Sequence, residues 1–167
     1  MSEMKSTDIR QAILHARILI VDDNDMNLNL MERMLRGAGY TAVESTANPV
    51  EVCELHRRNR YSLILLDLQM PVMDGFQVMD ALKQIEAIGD LPVLMITAEP
   101  GEKLRALKAG AKDFLSKPLD LAELRARVHN ILEVGLLYTE LEEALRELGA
   151  GREVIRLLKA ERSHAAV

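Results

Sequence analysis

Residues 61–75 read Tyr-Ser-Leu-Ile-Leu-Leu-Asp-Leu-Gln-Met-Pro-Val-Met-Asp-Gly. The run Leu63 to Leu66 has the length and character of a strand buried on both faces, the kind from which parallel sheets are built. Asp67 ends it. A carboxylate in that place lies at the carboxyl end of a strand, where open α/β sheets keep their ligand crevice. Met70-Pro71 and Asp74-Gly75 are loop and turn signals, so the chain leaves the sheet at Asp67 and holds that side chain near solvent. A plainer reading is that Asp67 caps the helix starting near Gly75, since caps and turns are the commonest employment of Asp. The rest of the chain decides between the two.

Upstream, residues 1–15 form a short leader with a helical turn or two through Ile9, Ile13 and Leu14. Arg17 to Val21 holds a second brief apolar run, Ile18 to Val21, and it too ends on carboxylates, Asp22-Asp23-Asn24-Asp25. Met26 to Leu35 carries apolar residues at helical spacing, closed by Gly37 and Gly39. Thr41 to Ser45 reads as a strand, Pro49 to Arg58 as a helix opened by Asn48 and Pro49, and Phe76 to Glu86 as another helix. Pro92 to Thr97 is a buried strand, Gly101 to Ala109 a helix stopped by Gly110, Asp113 to Ser116 a fifth strand, and Leu119 onward is helical. Strands alternating with helices in this way predict a doubly wound α/β fold: a five-stranded parallel sheet covered on both faces. Right-handed crossovers then bring every strand's carboxyl end to one edge.

That edge collects Asp22 and Asp23, Asp67, Thr97 and Lys117. Taken singly, Lys117 before Pro118 is a turn residue and Thr97 a strand-end hydroxyl bonded to backbone. Together they make a site. Three crowded carboxylates repel one another, and a hard divalent cation such as Mg²⁺ relieves the repulsion. An ammonium and a hydroxyl alongside suit the oxygens of a phosphoryl group.

Composition narrows the function classes. The chain has 167 residues, 49% hydrophobic and 28% charged, a globular balance with length enough for a real core. No apolar run approaches a membrane span, and residues 1–11 lack a signal-peptide core, so the expectation is a cytoplasmic protein without membrane association. The single Cys53 allows no internal disulfide and reads as a core residue. With a net charge of −5 and 3% aromatics, nothing suggests direct nucleic-acid binding. His56-Arg57-Arg58-Asn59-Arg60 instead complements a helix C-terminus. His15, His56, His129 and His164 lack ligand-like spacing.

The motifs I-L-I-V-D-D-N at 18–24, L-I-L-L-D-L-Q-M-P-V-M-D-G at 63–75, V-L-M-I-T-A at 93–98 and A-G-A-K-D-F-L-S-K-P at 109–118 resemble the receiver domain of two-component response regulators, over residues 16–132. The resemblance implies a flavodoxin-like receiver in which Asp67 accepts a phosphoryl group from a sensor histidine kinase or phosphotransfer protein. Asp22 and Asp23, with Asp67 and the backbone carbonyl of Gln69, would hold Mg²⁺. Thr97 would be the switch hydroxyl, Lys117 a contact to a phosphoryl oxygen, and Phe114 the switch aromatic. Gln69 and Glu99 would flank the path of hydrolytic water, and the Lys117-Pro118 bond would be cis. Such a protein is no enzyme beyond its own phosphorylation and dephosphorylation. The alternative, a Mg²⁺-dependent aspartyl-phosphate hydrolase, needs an acid two residues after the nucleophile, and here Gln69 stands there. A binding-only pseudo-receiver is disfavoured because no key position is missing.

Residues 133–167 extend beyond the receiver. Leu121, Leu124, Val128 and Ile131, then after one phase slip Val134, Tyr138, Leu141, Leu145 and Leu148, recur at coiled-coil spacing. Glu140, Glu142, Glu143 and Glu147 are expected to keep the other face wet. Gly149-Ala150-Gly151 breaks the helix, and Val154 to Leu158 offers a short amphipathic piece. Either this tail packs back on its own receiver, or it is a signalling helix that pairs two chains. A homodimer through this helix or a receiver face is the expectation. D-F-L-S-K-P-L-D followed by L-R-A-R-V resembles receivers that precede cyclic-dinucleotide cyclase or phosphodiesterase modules.

Overall fold

A computed structural model of the chain describes residues 6–85 and 91–164. Five strands, β1 (Arg17–Val21), β2 (Ala42–Thr46), β3 (Leu63–Asp67), β4 (Val93–Thr97) and β5 (Asp113–Ser116), form one sheet in the order β2-β1-β3-β4-β5. All neighbours are parallel, as expected for a doubly wound fold. Helices α2 (Asp25–Gly37), α3 (Val52–Asn59), α4 (Gly75–Ile85) and α5 (Lys103–Lys108) connect them. The long α6 (Leu121–Glu147) follows β5, α1 (Ser6–Leu14) precedes β1, and α7 (Arg152–His164) ends the described chain.

The alternation of side chains along each strand divides the core in two. Ile18, Ile20, Leu63, Leu65, Leu94 and Ile96 pack with Met31, Leu35, Leu124 and Val128 on one face. Leu19, Val21, Ile64, Leu66, Val93 and Met95 pack with Val52, Val78, Met79, Leu82 and Ala106 on the other. Burial on both faces explains why these strands read as continuous apolar runs rather than alternating ones.

Element boundaries differ from the sequence reading in instructive places. Asp67 is the last residue of β3 rather than the residue after it. Two expected helices begin with single 3₁₀ turns, Pro49–Glu51 and Pro100–Glu102, each with proline in its opening turn. A proline there loses no helical hydrogen bond and fixes φ for the tight start. Asn48 caps the first of them through Val50 N–H. The expected end of α4 at Glu86, and the leader's first five residues, lie outside the described residues.

The extension folds as a helical hairpin. Helix α6 runs unbroken for 27 residues, and Gly149, at φ +75°, turns the chain into α7, which packs back on α6. At the far end Lys112 Nζ donates to the Arg162 carbonyl at 2.5 Å, and the Arg162 guanidinium lies 5.9 Å from the Tyr138 ring centroid. One expectation fails here. Glu142 is not on a wet face but 8% exposed, with Arg146 at 3.5 Å as its ion partner. Val134, Leu141 and Leu148, expected in a seam, are exposed in the single chain.

Because the sheet core is filled from both sides, truncation at its centre leaves an empty volume. Leu65→Ala should destabilise the fold by about 2–5 kcal/mol, whereas Leu104→Ala, at an exposed position, should stay within about 0.5 kcal/mol of wild type. Urea unfolding of the two variants checks this, and equal effects would contradict the assignment of the core.

Candidate functional site

Parallel register brings the expected residues together. Val21 lies beside Leu66, Asp67 beside Ile96, and Thr97 beside Ser116, so Asp22 and Lys117 follow directly at the same edge. Carboxylate oxygens of Asp22, Asp23 and Asp67 all lie within 4.8 Å of one another. Asp22 and Asp67 are buried, while Asp23 is exposed.

Each member is held from behind. One Asp22 oxygen accepts from Asn24 N–H at 2.9 Å, and the other accepts from Asn27 Nδ2 at 3.2 Å. Lys117 Nζ reaches 3.2 Å from Asp22 Oδ2 and 3.1 Å from Asp67 Oδ1, bridging the two buried carboxylates. The Lys117 backbone N–H donates to Thr97 O at 2.8 Å, and the Lys117-Pro118 bond is cis. The Thr97 hydroxyl, buried, accepts from Glu99 N–H at 3.0 Å. Across the mouth Gln69 Nε2 donates to Glu99 Oε1 at 2.7 Å.

Asp67 is not a helix cap. Asp74 Oδ1 accepts from Gln77 N–H at 2.9 Å and Gln77 Oε1 accepts from Asp74 N–H at 2.9 Å, so α4 carries its own reciprocal cap. Gly75 is required by proximity: a Cβ there would stand 2.8 Å from the Asp67 carbonyl oxygen and 2.9 Å from Leu68 Cα. The turn can therefore close tightly under the end of β3. Phe114 lies apart from the acidic pocket, half-buried on β5, with Lys103 Nζ 4.7 Å from its ring centroid. The sequence reading missed Asn27 and Lys103; α2's helical register offered a clue to the first, and nothing local signalled the second.

Electrostatically the pocket is short of positive charge. Burial first, then the neighbouring Asp22 carboxylate, push Asp67 from 3.8 up to about 6, although the Lys117 ammonium pulls it down. Burial acts to lower Lys117, but Asp67 and Asp22 outweigh it and raise its pKa overall. Three hard oxygen donors at this spacing, with one ammonium among them, fit a divalent cation of the Mg²⁺ kind. Two residues beyond Asp67 the side chain is the neutral Gln69 amide, so the second acid of a hydrolase is not there.

The raised carboxyl has a stability consequence with a definite sign. Folded Asp67 binds its proton more tightly than in the unfolded chain, so its ionisation penalty is fully present above pH 6 and fades between about 6 and 3.8. In chelator, Asp67→Asn should therefore be more stable than wild type by about 1–3 kcal/mol at pH 8, with a smaller gain at pH 5. Denaturant titration reads this, and a gain that grows toward low pH would refute the sign.

Known proteins share this architecture and its motifs. The family model of the response regulator receiver domain matches residues 18–129. Response regulator PleD of Caulobacter vibrioides is 37% identical over 132 residues, which cover 78% of this chain and 29% of PleD; the chain thus spans less than a third of PleD's length. The receiver domain of sensor histidine kinase PA1611 from Pseudomonas aeruginosa, whose crystal structure has a magnesium ion coordinated in the active-site cleft, is 32% identical. It superposes with a TM-score of 0.64 over 71% of this chain and 98% of that one. A protein described as a two-component system response regulator/GGDEF domain protein gives a TM-score of 0.68 at 27% identity, over 76% of this chain and 52% of that one. It bears out the likeness to receivers placed ahead of cyclic-dinucleotide modules. With the parallel sheet, the edge carboxylates and the bridging lysine in place, the family match over two-thirds of its length means that the chain belongs to the response regulator receiver domain family.

Proposed function

We propose that residues 16–132 act as a phosphorylation switch with Asp67 as acceptor, preceded by a leader at 1–15 and read out through the helical extension at 133–167. The observation that carries this is the Lys117 bridge: one ammonium within 3.2 Å of both buried carboxylates, at the edge where Asp23 also lies. An Asp67 oxygen attacks the phosphorus of a phosphohistidine on a histidine kinase or phosphotransfer protein; the P–O bond forms as the P–N bond breaks, and the electron pair leaves on the imidazole nitrogen. Asp22, Asp23, Asp67 and the Gln69 backbone carbonyl would hold Mg²⁺. The bound ion supplies charge neutralisation for the transferring group.

The chain's own residues do the rest. Lys117 exchanges part of its contact with Asp67 for a phosphoryl oxygen. Thr97 gives up its hydrogen bond from Glu99 N–H and turns its hydroxyl to the phosphoryl group. Phe114 follows and passes the change to the surface of α5 and β5, shifting an existing equilibrium. Gln69 and Glu99, already bonded to each other across the mouth, restrict water's approach to the acyl phosphate. This is signal transduction rather than turnover of a substrate.

No described helix is long and apolar enough to cross a membrane. We read the protein as cytoplasmic, without direct nucleic-acid contact, and as signalling through a change of oligomeric state.

Incubated with a small phosphodonor and Mg²⁺, the wild type should gain one phosphoryl group by intact mass and Asp67→Asn none. Equal labelling would remove Asp67 from the acceptor role. Asp23→Ala should weaken Mg²⁺ binding by about tenfold or more; unchanged affinity in a calorimetric titration would exclude Asp23 from the cation site.

A further inference from the structure

We infer that the α6–α7 hairpin is a self-association surface, and that two copies close it into a four-helix bundle with parallel α6 helices at its centre. The inference rests on the reading of the extension as the receiver's readout and names the partner: a second copy of this chain.

Apolar side chains stand exposed along the hairpin. Val134, Leu137, Leu141 and Leu148 on α6, with Val154 and Leu157 on α7, are each between 46% and 84% exposed. In a span of this length such a concentration marks an interface rather than ordinary surface scatter. Further up α6, Leu124, Val128 and Leu132 are buried against the sheet, so the ridge begins where the receiver no longer covers the helix. Helix α7 does not cover it either. It lies along the other flank, where Tyr138 and Leu145 are half-buried and Arg162 reaches back to Tyr138 and Gly135.

Periodicity and charge identify the occupant. Val134, Leu141 and Leu148 recur at seven-residue steps with Leu137 between them, the period of a seam that closes on an equivalent helix. Flanking the ridge on the side away from α7, Glu140 and Glu147 recur at the same step. Among the described residues neither has an ion partner, and Glu140 Oε1 is buried without a hydrogen bond. On α7, Arg152 and Arg156 are exposed, Arg156 already paired with Glu153 one turn away and Arg152 at the start of the helix. A two-fold axis along parallel α6 helices sets the glutamate edge of each copy against α7 of the other, so each bare acidic edge meets arginines. A receiver surface offering only apolar contact would not supply that match.

Light scattering and sedimentation equilibrium of the whole chain, with and without Mg²⁺ and beryllofluoride, test this. Wild type should form dimers in at least one of the two conditions. Leu141→Glu and Leu157→Glu should each weaken the dimer about 10- to 100-fold, with circular dichroism unchanged because both positions are exposed. Glu147→Arg should weaken it, and adding Arg152→Glu should restore it. Mild oxidation of Ala144→Cys in a Cys53→Ser background should cross-link two copies. A wild-type monomer throughout overturns the proposal, as does a dimer indifferent to Leu141→Glu. A dimer sensitive at Leu141 but not at Leu157 overturns the four-helix bundle in favour of pairing by α6 alone. Failure of Asp67 as acceptor would show separately, as absence of phosphoryl addition, and would leave a constitutive dimer standing.

Discussion

One ammonium shared by two buried carboxylates is the constraint on which the site depends. Asp22 and Asp67 sit 3.2 and 3.1 Å from Lys117 Nζ with almost no access to water. A pair of carboxylates so placed repel each other, and a single positive charge cannot fully compensate both. Strand register keeps them there: β1 and β3 are neighbours at the centre of the sheet, and Lys117 is tied to β4 through Thr97. Fully apolar strands beneath resist any relaxation that would separate the charges. The fold thus stores an electrostatic imbalance at one edge, an excess of negative charge that a divalent cation would relieve.

The same rigidity would let a local change travel. Thr97 and Lys117 are joined by a backbone hydrogen bond, and Thr97 pairs in register with Ser116, two residues beyond Phe114. A movement of the Thr97 hydroxyl is therefore one strand away from the half-buried ring under Lys103. Helix α6 leaves that strand's end and continues without a break into the hairpin, which is anchored to the receiver again through Lys112 and Arg162. The extension is mechanically part of the domain that would drive it.

Much of this was legible in the chain. Doubly buried strands announce themselves as short apolar runs, so Leu63 to Leu66 and Ile18 to Val21 located the sheet, and the carboxylates after them located the edge. Thr97 and Lys117 carry little signal alone; they became legible because four strand ends had to coincide. Less visible were groups whose role comes from tertiary neighbours. Asn27 clamps Asp22 from the first turn of α2, a place that helical register allows but that the residue type alone does not single out. Glu142 read as wet because its sequence neighbours are glutamates, yet the return of α7 buries it beside Arg146. The length of α7 was underestimated because arginine and lysine interrupt its apolar pattern while remaining good helix formers.

The most direct test of the account is the titration of the Asp67 carboxyl itself, followed by carbon-detected NMR with the side chain labelled. In chelator the account predicts a midpoint near 6, and saturating Mg²⁺ should move that midpoint well down, because the cation supplies the positive charge the pocket lacks. A midpoint at the ordinary 3.8, unmoved by Mg²⁺, would contradict the central claim that crowded, buried carboxylates prepare this edge for phosphoryl transfer.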